Sequence, residues 1–164
     1  MATYTYKGEG YSLPYDAPGM QIVRRRLDIP DLIANGGLAL ASAPSVPTSL
    51  AATGFAQTDI LDIFHFPKGT LVKRVCARIV TPEGGTLTVD VGVTGADADG
   101  FLDGSDMNGS AGTVYYTLDS LGYGTDNALG YFFAADGAVS ILFNNAADTL
   151  VADFWAEAAF VAEI

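Results

Sequence analysis

The fold class of this chain is decided by one stretch, Thr86–Val93, which reads TLTVDVGV. Its apolar residues, Leu87, Val89, Val91 and Val93, alternate with small or polar ones. A period of two places the apolar side chains on one face of a β-strand and the remaining side chains on the other. The stretch therefore predicts a strand with one face in a hydrophobic core.

Comparable stretches lie on both sides of this strand and are separated by residues that favour turns, such as Pro67-Lys68-Gly69 and Asp136-Gly137. The 19 Gly and seven Pro suit a fold with many turns. We predict an all-β fold, an antiparallel, jelly-roll-like β-sandwich with an extended N-terminal arm. The other predicted strands are Asp59–Phe66, Leu71–Val80, Thr113–Leu118, Tyr131–Ala134, Ala138–Phe143 and Leu150–Ile164, with a long loop over 94–112.

Two of these strands also predict which side chains face outward. In Leu71–Val80, residues Leu71, Val75, Ala77 and Ile79 share one face, and Arg74 and Arg78 lie on the other. In the last strand the apolar face, from Phe154 to Ile164, lies opposite Asp153, Trp155, Glu157 and Glu163.

Residues 1–54 differ in composition and predict an arm and linker ahead of a sandwich domain over 55–164. Four tyrosines are interleaved with Gly and Pro, Pro30–Asn35 suits one helical turn ended by Gly36, and Leu38–Thr53 resembles a linker. The arm is too apolar for a free tail, so it should bury side chains on its own domain, a neighbouring copy or a larger surface. The candidate partner-binding residues are Tyr4, Tyr6, Tyr11, Tyr15, Ile22, Val23, Arg24, Arg25, Arg26 and Leu27.

The charges are distributed very unevenly along the chain. Residues 1–80 contain all eight Lys and Arg and the one His, whereas residues 81–164 contain 13 acids and no base. Nucleic-acid binding needs Lys and Arg to replace counterions, so we expect no nucleic-acid partner. Without a long apolar run or an apolar segment in Met1–Gly10, we expect no membrane partner and synthesis in the cytoplasm.

The loop after Val93 concentrates oxygen ligands at Asp97, Asp99, Asp103, Asp106 and Asn108. Calcium prefers six to eight oxygen ligands from a flexible loop. The order of ligands in an EF-hand is absent, and Asp, Asn and Gly in such a loop also shape successive turns. We therefore favour turns over a calcium site, and we expect no cofactor.

Other candidate sites have structural explanations that we favour or weigh equally. His65 with Asp59 or Asp62 lacks a recognisable catalytic partner, and Cys76 suits a small buried residue better than a nucleophile. The run Arg24–Arg26 suits either an acidic protein surface or plain solvation. An aromatic set could line a sugar-binding face, although most of its members should lie in the core: Tyr115, Tyr116, Tyr123, Tyr131, Phe132, Phe133, Phe154, Trp155 and Phe160.

Three segments together resemble small structural proteins of tailed bacteriophages: Phe66–Val72, Thr86–Val93 and Asp97–Gly104. The resemblance covers about residues 60–164, lies in composition and spacing, and is greatest to capsid decoration (cement) proteins. It implies a non-enzymatic virion protein on the outer capsid surface. The implied partners are the major capsid protein, clamped by the arm, and other copies of the chain in a homotrimer or a dimer. The alternative is a tail-associated module that binds a receptor or carbohydrate.

The hypothesis of an N-terminal arm has one testable consequence. If residues 2–30 only clamp a capsid, their deletion should abolish capsid binding and leave the sandwich folded.

Overall fold

The computed structural model of the chain describes residues 1–6, 19–40, 42–117 and 130–161, with only the backbone for 43–47. These residues form two β-sheets and one short helix, which confirms the predicted β-sandwich. No helix in the described ranges has the length and apolar character needed to cross a membrane. The elements in chain order are β1 (Thr3–Tyr6), β2 (Gln21–Asp28), α1 (Ile29–Asn35), β3 (Leu38–Leu40), β4 (Ala43–Thr48), β5 (Ile60–Phe66), β6 (Thr70–Thr81), β7 (Thr88–Val93), β8 (Asp97–Asp106), β9 (Val114–Tyr116), β10 (Tyr131–Phe132), β11 (Gly137–Phe143) and β12 (Val151–Phe160).

The larger sheet has seven strands in the order β4-β3-β1-β5-β11-β7-β8. The smaller sheet has the order β10-β6-β12-β2, and β9 also pairs with β6. One pair departs from the antiparallel expectation, since β1 runs parallel to β5 with Thr5 opposite Asp62. A parallel pair requires a long crossover, and here the chain passes through β2 of the other sheet between the two strands.

The core lies between the inner faces of the two sheets. The predicted apolar face of Thr86–Val93 is confirmed, because Leu87, Val89 and Val91 are fully buried. Phe55 and Phe143 stack nearly parallel in this core, with ring centroids 4.3 Å apart. Phe154 of β12 is also fully buried, so both sheets contribute aromatic rings.

One strand changes the face that it buries part-way along its length. In β6, Val75, Ala77 and Ile79 are buried as predicted, but Leu71 is only half-buried while Thr70 and Val72 are buried. Arg74 pairs with Glu157, and Val72 pairs with the next residue of β12, Ala158, so Lys73 is an extra residue in the ladder. A β-bulge of this kind reverses the alternation of faces, and the prediction for Leu71 was therefore wrong.

The described part of residues 1–54 contributes strands to both sheets, with β1, β3 and β4 in the larger sheet and β2 in the smaller one. β2 pairs with β12 from Asp28 opposite Val151 to Gln21 opposite Ala158. Leu27 and Ile29 are fully buried, so this segment buries its apolar side chains on its own domain. No boundary at residue 54 separates these strands from the rest of the two sheets.

The predicted helical turn is confirmed, and its ends follow from its sequence. α1 begins after Asp28, whose side chain accepts a hydrogen bond from the Asp31 backbone N–H at 3.0 Å. The helix ends at Gly36, whose φ of 71° lies in the left-handed region that glycine tolerates best.

Two predicted irregular segments contain strands. Leu38–Thr53 includes β3 and β4, and the prolines Pro44 and Pro47 are tolerated because β4 lies at the edge of its sheet. The predicted loop over 94–112 includes β8, which pairs with β7 through two register shifts. At Gly92 the backbone of Asp97 approaches so closely that a Cβ would overlap its carbonyl oxygen.

A buried carboxylate connects the segments that flank β6 and β12. Glu83 accepts hydrogen bonds from the backbone N–H groups of Thr149 and Leu150 at 3.1 and 2.9 Å, and from the Thr149 hydroxyl at 2.8 Å. Burial by itself would raise the pKa of Glu83, but these hydrogen bonds together outweigh burial and lower it. The ionised form of Glu83 is therefore the one that the fold stabilises.

The docking of β2 predicts different effects for two substitutions in the same strand. Leu27→Ala should lower the free energy of unfolding by about 2–5 kcal/mol, because it leaves a cavity in the core. Ile22→Ala, at a residue that is 56% exposed, should change it by less than about 0.5 kcal/mol. Urea denaturation of both variants measures the difference. Equal stability of the two would mean that β2 is not docked, as an independent arm requires.

Glu83 predicts a pH-dependent contribution to stability. Glu83→Gln should lower the free energy of unfolding by about 1.5–3 kcal/mol at pH 7. The pKa of Glu83 is lower in the folded state than its ordinary value of 4.5. The contribution is thus complete above that value and is lost as the pH falls through the folded pKa. Denaturant titrations between pH 3 and pH 7 should show that the difference in unfolding free energy between the wild type and Glu83→Gln decreases at acid pH. Asp103→Asn, at an exposed residue, is the control. A difference between the wild type and Glu83→Gln that does not depend on pH would contradict the role of ionised Glu83 in stability.

Candidate functional site

The two sheets carry opposite charges. The strands of the seven-stranded sheet contain no Lys or Arg and six Asp: Asp62, Asp90, Asp97, Asp99, Asp103 and Asp106. The strands of the five-stranded sheet contain six bases and three acids: Arg24, Arg25, Arg26, Lys73, Arg74 and Arg78, with Asp28, Asp153 and Glu157. The charge asymmetry of the sequence thus becomes an asymmetry between the sheets.

The outer face of the five-stranded sheet, which we call the arginine face, is organised by the register of β12. Trp155 lies between Arg24 of β2 and Cys76 of β6, and Cys76 lies opposite Tyr116 of β9. The adjacent row on β12 places Asp153 between Arg26 and Arg78. Aromatic and charged side chains from four strands, β2, β6, β9 and β12, therefore share one surface.

Ion pairs fix the charged side chains of the arginine face. The Arg26 guanidinium donates to both Asp153 carboxylate oxygens at 2.8 and 3.1 Å, and Arg78 donates to one of them at 3.1 Å. The hydrogen bond from Arg26 is the main reason why the pKa of Asp153 lies below its ordinary value. Arg74 pairs with Glu157 at 3.1 Å. Because two arginines share one Asp153 carboxylate, this row keeps a net positive charge.

A pocket of about 470 Å³ opens among these residues. Its lining consists of Arg24, Arg25, Arg26, Arg78, Asp153, Phe154 and Trp155. Guanidinium groups and an indole ring suit a partner that supplies carboxylates and apolar contacts.

The arginine run does not form a single patch of three. Arg24 and Arg26 are exposed on the arginine face, whereas Arg25 points to the other side of β2 and lies over the Tyr6 ring, 4.4 Å from its centroid. Burial raises the pKa of Tyr6 to about 12 despite the nearby Arg25. The Arg25–Tyr6 contact joins the two sheets and serves the fold.

The residues predicted to bind a partner differ in their exposure in the structure. Ile22, Arg24 and Arg26 are exposed and lie together on the outer side of β2. Leu27 is fully buried and cannot reach a partner, because its side chain belongs to the core between the sheets. Tyr4, Tyr6 and Val23 are half-buried and pack against the core, Tyr4 meeting Phe55 edge to face at 5.4 Å. Tyr11 and Tyr15 lie outside the described residues.

The remainder of the arginine face was not included among the predicted partner-binding residues. Arg74 and Arg78 were predicted to point outward, as were Asp153, Trp155 and Glu157. The sequence does not show that β12 pairs between β6 and β2. That pairing brings the outward residues of β6 and β12 onto one face with the predicted partner-binding residues of β2. No local pattern in either strand contains that information.

The opposite sheet has a polar pocket of about 460 Å³ that includes Asp62, His65 and Ser140. These residue types occur in catalytic triads, but their contacts differ from those of a triad. The Ser140 hydroxyl is buried and donates to Asp62 Oδ1 at 2.7 Å, while His65 Nε2 is paired with the Thr5 hydroxyl at 2.7 Å. A nucleophilic serine needs its base at its own hydroxyl and an open path to substrate, and this arrangement supplies neither.

The predicted oxygen-rich loop forms β8, whose Asp106 and Asp97 lie opposite Thr88 and Val93 of β7. The two ends of β8 are therefore about 16 Å apart, at about 3.3 Å for each of five steps along β7. Asp106 Oδ1 accepts the Asn108 backbone N–H at 3.1 Å, a turn of the type favoured from the sequence. Within the described residues, no three His, Cys, Asp or Glu side chains are grouped so that they could hold a metal ion. The turn favoured from the sequence is thus observed at Asp106 and Asn108.

The aromatic residues separate into core and surface groups. Phe133 and Phe154 are buried, whereas Tyr116 is 58% exposed and Phe132 is 50% exposed. Trp155 is half-buried on the arginine face, and Tyr123 lies outside the described residues.

Cys76 is predicted to be unreactive. The thiol is buried, and burial followed by the charge of Glu157 raises its pKa above the ordinary value. Iodoacetamide at pH 7.5 should alkylate the native protein at least about tenfold more slowly than the urea-unfolded chain. Alkylation at equal rates would contradict the buried environment between Trp155 and Tyr116.

Comparison with known proteins gives one informative match. No protein-family profile matches the chain, and no curated protein matches it in sequence. Among solved structures, the chain is similar in fold to a chain in the structure titled "Capsid of Ralstonia phage GP4", with a TM-score of 0.62 and 12% identity. The alignment covers 99% of this chain and 100% of that one, so the two chains are similar in length and in fold throughout.

Proposed function

We propose that this protein is a non-enzymatic structural protein of a bacteriophage virion, which decorates and cements the outer surface of the capsid. Its sandwich binds the major capsid protein and associates with other copies of itself as a trimer or a dimer. The protein is made in the cytoplasm of the host and ends in the virion.

The observation that carries this proposal is the whole-chain fold similarity to a component of a phage capsid. The similarity includes both sheets and extends to both ends of the matched chain. The matched chain is therefore similar to this one in length and in fold. A sandwich of this size suits an accessory component that adds contacts to an existing shell.

The described surface is consistent with a role in binding. The polar pocket beside His65 lacks the contacts of a catalytic triad. The arginine face offers aromatic groups and charged groups, and ion pairs hold the charged groups in place. A cement protein would stabilise the shell by burying such surface many times over, once for each copy. No chemical step is required.

The test is cosedimentation of the purified protein with emptied heads that lack it, combined with light scattering of the free protein. We expect binding that saturates at a fixed number of copies per head, and heads that resist heat or chelator better when decorated. A protein that stays in the supernatant at micromolar concentration, with heads that are equally labile with and without it, would refute the proposal.

The second candidate is a tail-associated module that binds a carbohydrate receptor. It is favoured by the exposed Tyr116 near the half-buried Trp155, because exposed aromatic rings stack on sugars. A glycan array with the wild type and Tyr116→Ala decides this case. Binding to a defined glycan that is lost in the variant would support it, and an empty array would exclude it for the sugars tested.

A further inference from the structure

We infer that the arginine face is the surface that meets the capsid shell, and that its partner there is an acidic protein surface. This inference rests on the proposed function and specifies which side of the sandwich docks and onto what chemistry. It makes the acidic seven-stranded sheet the side that faces the solvent.

The composition of the arginine face is that of a binding interface. Ile22, Val114 and Tyr116 are exposed by 56%, 45% and 58%. They lie on β2 and β9, and β12 and β6, with Arg74 and Arg78, lie between those two strands. Protein interfaces are enriched in Tyr, Trp and Arg, which combine apolar area with a polar group. Exposed side chains of this kind have a large surface to bury against a partner.

The charges on this face call for carboxylates on the partner. Asp153 carries one negative charge and receives both Arg26 and Arg78, so one positive charge of this row is uncompensated. Arg24 is exposed and forms no ion pair with a residue that the structure describes. Guanidinium groups bind carboxylates through paired hydrogen bonds, and the existing ion pairs hold Arg26 and Arg78 in place before binding.

Two other occupants fit this face less well. A nucleic acid would bring phosphates against Asp28, Asp153 and Glu157, and against a chain with a net charge of −11. A second copy could offer its acidic sheet, but the two sheets form opposite sides of the sandwich, so this head-to-tail contact would stack copies in a row and would not turn back into a ring. Such an open chain of copies conflicts with a finite oligomer. An acidic shell surface would pair with the arginines of this face, and one copy binding to it would not lead to an open chain of copies.

The experiment compares charge reversals on the arginine face and elsewhere. Arg24→Glu and Tyr116→Ser change exposed residues of the face, so both variants should fold, which circular dichroism and thermal unfolding verify. Lys68→Glu, in the turn between β5 and β6, is the control with the same change of net charge as Arg24→Glu. Binding to emptied heads is measured by cosedimentation at 50, 150 and 300 mM NaCl.

We expect Arg24→Glu to weaken binding at 50 mM NaCl at least about tenfold, and Tyr116→Ser to weaken it severalfold. Lys68→Glu should bind within about twofold of the wild type. Wild-type binding should weaken as salt rises, and Arg24→Glu should be less sensitive to salt.

Three results would overturn the inference. If the wild type binds heads and Arg24→Glu binds equally well, another surface docks, although the proposed function stands. If light scattering shows an oligomer that Arg24→Glu dissociates, the face joins copies of the chain. If the wild type binds a fluorescent DNA duplex at 150 mM NaCl and Arg24→Glu does not, the partner is a nucleic acid. Failure of the wild type to bind heads at all would instead refute the proposed function.

Discussion

The pairing of β12 along both of its edges is the constraint on which the rest of the structure depends. Its inward residues Phe154, Ala156 and Ala158 have no exposed surface and form part of the core. Its outward residues meet β2 on one side and β6 on the other, in registers that place Asp153 between two arginines. One strand near the end of the chain thus connects the beginning and the middle of the sequence. Without it, neither β2 nor the arginine face would exist as observed.

The sorting of charge between the sheets follows from this pairing. The sequence keeps its bases before residue 79, and the fold brings two of the basic segments, Arg24–Arg26 and Lys73–Arg78, onto the sheet that contains β12. The remaining strands form a sheet with acids and no Lys or Arg. A small protein with a net charge of −11 therefore presents one face on which an acidic partner is attracted. That asymmetry gives the molecule two chemically different sides, and the basic side is the one that we propose for docking.

The parts of the fold that could be predicted from the sequence are those specified by local patterns. The alternation in Thr86–Val93 determines its buried face, and Pro30 and Gly36 mark the helix because each satisfies a local backbone requirement. The strand β8 was missed because its Asp and Gly residues resemble a loop, although pairing with β7 holds them extended. Lys73 reversed the faces of β6 because a bulge depends on the partner strand and leaves no clear local signal.

The candidate site was predicted only in fragments for the same physical reason. Ile22, Arg24 and Arg26 were predicted to bind a partner, and Arg78 and Trp155 were predicted to face outward. Their union on one face depends on contacts between residues more than 100 positions apart, such as Arg26 with Asp153. Leu27 was included with its neighbours because the segment was interpreted as an arm. The strand period alone would have placed Leu27 with Val23 and Arg25, on the side away from Arg24 and Arg26.

The central claim is that this sandwich lies on the outside of a capsid with its arginine face toward the shell. The most direct measurement is a cryo-electron microscopy reconstruction of the heads of the phage that encodes the protein, at a resolution that separates strands. The account predicts density for the sandwich on the outer surface, with β2, β12 and β6 against acidic side chains of the shell and β7 and β8 toward solvent. Density with the seven-stranded sheet against the shell, or heads without this protein, would contradict it.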